Sequence, residues 1–166
     1  MEILIRRLIC PYKLSFWYLD ITIAIIQITA GVLLAFYFGP MNMGVPWDSS
    51  TSLKVWEVSP DFVSAVRGFG GIFSEYPEFF ASSAALIEIF GGIFLILGLG
   101  VRIVSLLIFQ IMLITLLYRS FDFSWSIIAT IAFLAIGILG IWFGSGRLGF
   151  DYLIWRFLKL GYKMYN

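Results

Sequence analysis

Long apolar blocks alternate with polar segments along the chain. Four blocks are almost wholly apolar, and they cover about residues 19–38, 77–99, 103–118 and 126–143. A helix rises about 1.5 Å per residue, so roughly 20 residues cross a bilayer core of about 30 Å. Gly39 and Pro40 are expected to end the first block. The pattern predicts an all-α fold in which a single integral membrane domain forms a four-helix bundle.

Polar and basic residues collect outside these blocks. Residues 1–13 and the C-terminal segment 147–166 mix apolar clusters with lysine and arginine, which is typical of amphipathic segments lying at a membrane interface. Residues 40–76 form the one long polar connection. Within it Ser59 and Pro60 fit an N-cap and a first helical turn, and phenylalanines follow at helical spacing. We expect either a short amphipathic helix, lying on the membrane or capping the bundle, or an irregular loop.

The basic residues are divided unevenly between the two ends of the predicted bundle. Of the 11 lysines and arginines, eight fall with the N-terminus, and three fall on the other side, namely Lys54, Arg67 and Arg119. The positive-inside rule then places both termini in the cytoplasm and residues 40–76 outside. We expect a multi-pass protein of a bacterial-type inner (plasma) membrane.

The composition agrees with a membrane protein and restricts its chemistry. Hydrophobic residues make up 61% of the chain, against an apolar share of about 45–50% in soluble domains. Histidine is absent and Cys10 is the one cysteine, which excludes His-ligated haem, ordinary zinc sites and an intramolecular disulfide. We expect no bound metal and no covalently bound cofactor. Electron transfer would require a quinone, a flavin or a partner subunit.

Glu88 lies in the middle of the second apolar block. An ionisable group at membrane depth is costly, so such a residue indicates a functional or inter-helix contact site. Counting residues from the helix ends places Thr115 and Thr130 at a similar depth, with Gln27 and Gln110 closer to the cytoplasmic ends. We expect a structural polar seam containing Gln27, Glu88 and Gln110. Desolvation favours a neutral, hydrogen-bonded Glu88 over an unpaired carboxylate.

Three roles for Glu88 stay open. They are a structural hydrogen bond between helices, a contact to a quinone or lipid head group, and a step in a proton relay. Small residues in membrane helices usually allow close helix contact, although a glycine seam beside Glu88 could also admit a flat quinone ring. The candidate quinone or lipid contacts are Glu88, Gly91, Gly92, Thr115 and Thr130.

Residues 144–149 read GSGRLG, which matches a dinucleotide-binding fingerprint literally. That fingerprint works only between a strand and a helix of a βαβ unit, whereas here an apolar helix precedes it. We interpret the segment as an exit turn. Its Arg147, together with Arg102, is expected to contact lipid phosphates, and Asp151 is expected to cap the helix that follows.

Two motifs are similar to those of DoxX-like four-helix membrane proteins. The first is E-x-x-G-G-x-x-L-x-x-G-x-x-x-R, from Glu88 to Arg102, and the second consists of Gly144, Gly146, Arg147 and Asp151. The resemblance covers roughly residues 20–151. The family pattern in the first helix has an arginine before a glycine and a lysine further on. This chain departs from it, with Gln27 before Gly31 and with Asn42 or Met43 after Gly39.

The resemblance implies a fold more directly than a reaction. DoxX-like proteins resemble subunits of quinone-linked sulfur oxidation systems or partners of membrane-associated oxidoreductases. We therefore expect an inner-membrane subunit of a respiratory or redox-associated complex that contacts quinone and has no intrinsic catalysis. Its expected partners are membrane lipids and other membrane or membrane-associated subunits, with no nucleic acid. The alternatives are a purely structural accessory subunit of a large membrane complex and a small transporter.

Overall fold

The computed structural model describes residues 17–48, 52–118, 125–146 and 149–154. Within these ranges the elements are helices, namely α1 (Trp17–Asn42), α2 (Pro60–Arg67), α3 (Ile72–Glu75), α4 (Pro77–Leu97), α5 (Val101–Tyr118) and α6 (Trp125–Phe143). Helices α1, α4 and α5 are long and apolar enough to cross a membrane, and α6 is a further apolar helix. The predicted all-α bundle of membrane helices is confirmed. The predicted amphipathic segment 1–13 lies outside the described residues.

Helix α1 runs further than its sequence predicts. Gly39 and Pro40 do not end it, because a π-helical turn over Leu34–Phe38 precedes them and the helix then continues to Asn42. The Gly39 amide bonds back five residues to the Leu34 carbonyl oxygen. The α-helix therefore resumes at Gly39, which puts Pro40 in a first-turn position where its missing N–H costs little. The extra turn carries Asn42 deeper along α4.

The four long helices form an antiparallel bundle. Helix α4 lies between α1 and α5, and α5 packs extensively against α6. Gly140 of α6 lies against Ser105 of α5, and the rings of Phe133 (α6) and Phe38 (α1) meet edge to face at 5.4 Å. All four helices contribute buried apolar side chains to one core, which contains Ala30, Leu34, Leu95, Val101, Val104, Ile108, Met112 and Phe133.

Helices α1 and α4 approach each other at backbone distance. A methyl group added to Gly92 would lie 2.7 Å from both the Gly31 carbonyl oxygen and the Ala35 nitrogen. Small residues permit this close packing, which is a main source of helix association inside a bilayer. One turn away, Gln27 Nε2 donates a hydrogen bond of 3.1 Å to the Leu95 carbonyl oxygen. The contact fixes both the separation and the register of the two helices.

The turn between α4 and α5 is held by a distant carboxylate. Helix α4 ends at Leu97 and is capped by Gly98, whose φ of 65° favours glycine. The Asp151 carboxylate accepts hydrogen bonds from the amides of Gly100 (2.8 Å) and Val101 (3.2 Å), and the Asp151 amide donates to the Gly98 carbonyl oxygen (3.1 Å). The prediction that Asp151 caps the helix following it is wrong, because the folded chain brings its carboxylate to the N-terminus of α5.

The connection between α1 and α4 folds back onto the bundle. Met43 and Val58 form an isolated antiparallel β-bridge. Met43 and Val45 are buried against Ala85 and Ile89 of α4, forming a second small core. The connection is therefore packed against the membrane helix over the same turns that carry Glu88.

Helix α2 starts at Pro60, with Ser59 in the N-cap position, although the Ser59 side chain makes no capping bond. Of the two alternatives for this part of the connection, the structure shows the short helix, and it packs against α4. Gly70 and Gly71, with φ of 76° and 56°, then link α2 to α3. Helices α2 and α3 thus cover one end of the bundle.

The close approach of α1 and α4 predicts a position-specific cost for one methyl group. Gly92→Ala should lower the free energy of unfolding by about 1–3 kcal/mol, because the added methyl meets backbone atoms that cannot move aside. Gly91→Ala is the matched control, since its methyl would meet the flexible Val104 side chain at 3.3 Å. Unfolding of the purified protein in mixed detergent micelles measures both. Equal losses for the two variants would contradict the backbone contact.

Candidate functional site: a cleft inside the bundle

A cleft of about 960 Å³ lies among the helices. Helices α4 and α5 form its long walls, the last turn of α1 and the first half of α6 close its inner side, and α2 and α3 cover one end. We call it the central cleft. Its volume falls within the range of about 300–1,000 Å³ that is typical of small-molecule sites. The bundle therefore has room for a ligand beside its packed core.

Most of the cleft wall is apolar. Seven aromatic side chains, from all six helices and the link between α2 and α3, line it, namely Phe38, Phe62, Phe69, Phe73, Phe80, Tyr118 and Phe133. The rings of Phe69 and Phe73 each lie 5.5 Å from that of Tyr118, measured between centroids. Pairs in this range contribute about 0.5–1.5 kcal/mol beyond their burial. The aromatic contacts join the end of α5 to α3 and to the link between α2 and α3.

Polar side chains occupy a few positions in this apolar wall. They are Asn42, Ser83, Glu88, Gln110, Thr115 and Thr130. Glu88 and Thr130 are each 7% exposed, and Thr115 donates a hydrogen bond of 2.9 Å to the Ile111 carbonyl oxygen of its own helix. A cleft with an apolar wall and few polar groups is suited to a ligand that is itself largely apolar.

The Glu88 carboxyl group is held by Asn42. Asn42 Nδ2 donates a hydrogen bond of 2.8 Å to Glu88 Oε2. The backbone carbonyl oxygen of Asn42 accepts a hydrogen bond of 2.9 Å from the backbone N–H of Ser59, so the start of α2 fixes the end of α1. Among the described residues this is the hydrogen bond that Glu88 makes, and its other oxygen is available to a ligand.

The structure brings most of the sequence-predicted polar residues together. Glu88, Gln110, Thr115 and Thr130 all line the central cleft, although they come from three helices. Gln27 lies elsewhere, at the α1–α4 contact beside Leu95. The predicted polar seam is therefore divided, with Gln27 in helix packing and the other members at the cleft.

Gly91 and Gly92 are not among the residues that line the cleft. Gly91 faces the Val104 side chain of α5, and Gly92 faces the backbone of α1, so both serve as close helix contacts. Arg102 lies in the first turn of α5, where its guanidinium is next to Gly144 of the exit turn. Arg147 lies outside the described residues.

Asn42 was not predicted to belong to the site. The one feature of the sequence that could have pointed to it is its position after Gly39, where the DoxX-like pattern has a lysine. Because Gly39 and Pro40 predict a helix end, Asn42 was expected in the polar connection. The π-turn continues the helix and places the Asn42 amide, rather than a threonine hydroxyl, on Glu88.

This arrangement can bind a polar head group through neutral or charge-assisted hydrogen bonds. An asparagine side chain has two N–H donors and one carbonyl acceptor, and one donor is used on Glu88. Glu88 accepts hydrogen bonds when ionised and can donate one when protonated. Both residues could therefore contact a carbonyl or hydroxyl group of a ring that lies against the aromatic wall.

Three helices long and apolar enough to cross a membrane define the class of this protein as a multi-pass membrane protein. Its central cleft is large enough for a small molecule. Residues 51–120 match the family model DoxX. The matched region contains α2 to α5, and hence most of the cleft wall. No curated protein and no solved structure matches the chain.

The Asn42–Glu88 contact predicts energetic coupling between the two side chains. Asn42→Leu alone should destabilise the protein by about 1–3 kcal/mol, because Glu88 then lies buried without its donor. When Glu88→Leu is added, the two losses should not sum, and the coupling should be about 0.6–1.7 kcal/mol. A double-mutant cycle of unfolding in mixed micelles measures this coupling.

The control cycle pairs Asn42→Leu with Glu78→Leu, which removes an exposed carboxylate from the first turn of the same helix. That pair should be additive. Additivity in the Asn42–Glu88 cycle as well would show that the hydrogen bond does not contribute to folding.

Proposed function

We propose that this protein is a quinone-binding membrane subunit of a respiratory or redox-associated assembly. The observation that carries the proposal is the Asn42–Glu88 pair in the wall of a cleft of about 960 Å³ that is otherwise mostly apolar and aromatic. A quinone has a flat ring with hydrogen-bonding oxygens and partitions into the bilayer. The ring suits the aromatic wall, and its oxygen suits the free groups of Asn42 and Glu88.

The depth of the site supports a membrane-dissolved ligand. Glu88 lies in α4 and Thr130 in α6, each well inside an apolar helix. Polar groups at membrane depth usually face the bundle interior and mark a ligand or ion pathway. A quinone bound here would supply the redox chemistry, while Asn42 and Glu88 would orient its ring.

The sequence supports a role as a subunit of a redox complex and not as an enzyme that acts alone. Without histidine and with Cys10 as its one thiol, the chain has few groups that could bind a redox metal. Electrons for a quinone would then come from a partner subunit that carries a cofactor. Resemblance to DoxX-like proteins associated with oxidoreductases supports the same view.

We also propose that both termini lie in the cytoplasm and that residues 40–76 lie outside. The support is the division of the basic residues, eight against three, between the two ends of the bundle. In this orientation, α2 and α3 cover the outer end of the central cleft. A partner that contacts them would approach from outside the cytoplasm.

Single-cysteine labelling tests this orientation. In a Cys10→Ser background, Ser52→Cys should react with a membrane-impermeant maleimide in intact cells, because the residue at 52 is exposed in the connection. Asn166→Cys is the matched position at the C-terminus and should react only after the cells are opened. The reverse labelling pattern would contradict the proposal.

Filling the cleft tests quinone binding. Ala129→Phe, at a position on the wall contributed by α6, should lower the affinity for a short-tailed quinone at least tenfold, which corresponds to about 1.4 kcal/mol. Binding to the protein purified in mild detergent can be followed by quenching of its tryptophan fluorescence. The amount of native quinone that co-purifies should fall in parallel.

Ala132→Phe is the matched control, because Ala132 is exposed on the same helix and does not line the cleft. Its affinity should stay within about twofold of the wild type. Equal quinone content in both variants would mean that the quinone is dissolved in the micelle. That outcome, or no binding by the wild-type protein, would overturn the proposed function.

A further inference from the structure

Helix α5 forms a long wall of the central cleft. Its lining residues are Leu107, Gln110, Ile111, Met112, Leu113, Ile114, Thr115 and Tyr118. The eleven helical steps from Leu107 to Tyr118 extend about 16 Å. The cleft is therefore elongated along α5, and this part of the wall is apolar except for Gln110, Thr115 and the Tyr118 hydroxyl.

Exposed lining residues occur at two places on the cleft. Ala65, Gly68 and Tyr118 are exposed at the end covered by α2 and α3. Leu107, which is 37% exposed, and Gln110 are exposed on the side of α5 and mark a mouth there. They are the seventh and tenth residues of an 18-residue helix, so the mouth lies near the middle of a membrane span. At that depth the surroundings are hydrocarbon. A molecule entering here must come from the bilayer.

Polarity changes from the interior of the cleft to this mouth. Glu88 and Thr130 are buried, whereas the exposed Leu107 at the mouth is apolar. A molecule with a polar head and an apolar chain matches this order only if its head is inside and its chain points out. Gln110 adds one amide at the mouth, where an unbonded polar group is costly and a ligand oxygen would compensate.

We propose that the quinone enters the central cleft laterally from the bilayer, through the mouth marked by Leu107 and Gln110, and that its hydrocarbon tail leaves the cleft through the same mouth. This inference rests on the proposed function and adds the ligand class, a long-tailed membrane quinone, and its direction of binding. The ring lies at Glu88, and the tail passes over Leu107 into the bilayer.

Two ring-matched quinones, one without a tail and one with a decyl tail, test the inference. The decyl compound should bind the wild-type protein in nanodiscs about tenfold tighter, after correction for its concentration in the lipid. Leu107→Trp should remove this advantage by obstructing the mouth. Leu106→Trp is the matched control, since Leu106 is 46% exposed and does not line the cleft, and it should keep the advantage.

A decyl quinone with a diazirine at the end of its tail gives a direct readout of tail position. After irradiation, mass spectrometry should find the label on α5 around Leu107 and Gln110 and not around Tyr118, and the label should be lost when excess long-tailed quinone competes.

The inference would be wrong if the label were found elsewhere, or if the tailless quinone bound as tightly as the decyl quinone. Either result would leave the proposed function unchanged. Failure of both quinones to bind would overturn the proposed function itself. If Leu107→Trp released a co-purifying subunit while the tail advantage persisted, the mouth would be a helix-docking surface and the inference would be wrong.

Discussion

The close approach of α1 and α4 is the constraint on which the rest of the structure depends. Gly31 and Gly92 let the two backbones meet, and in a bilayer such packing replaces the hydrophobic effect as the source of helix association. With the separation fixed, the extended end of α1 lies beside the middle of α4. The Asn42–Glu88 hydrogen bond and the inner side of the cleft both follow from that placement.

The long connection contributes to the membrane part of the protein as well as linking its helices. Its first residues, Met43 and Val45, are buried on α4, and the Ser59 amide binds the Asn42 carbonyl oxygen. Helices α2 and α3 then supply aromatic rings to the cleft. The central cleft is therefore formed by the connection as well as by the membrane helices. The match to the DoxX family model, over residues 51–120, includes most of the residues that line it.

Helix α1 contacts α4 through two side-chain amides. Gln27 donates to the Leu95 carbonyl oxygen and Asn42 to the Glu88 carboxyl group. An amide satisfies a buried carbonyl or carboxyl oxygen without adding a second charge at membrane depth. The two helices are thereby joined by hydrogen bonds from neutral side chains of α1.

The sequence by itself determined the class of fold, because apolar length is a local property, and it drew attention to Glu88, because a carboxylate in the middle of an apolar block is also visible locally. The helices of the structure begin and end within a few residues of the predicted blocks. Glu88, Gln110, Thr115 and Thr130 line the cleft, whereas the predicted contacts Gly91 and Gly92 do not. Only the tertiary structure decided the hydrogen-bond partners of these residues. Asn42 reaches Glu88 because a π-turn lets α1 continue beyond Pro40, and Asp151 reaches the first turn of α5 because the chain reverses after α6. Both contacts join residues far apart in sequence, so they depend on helix register and packing.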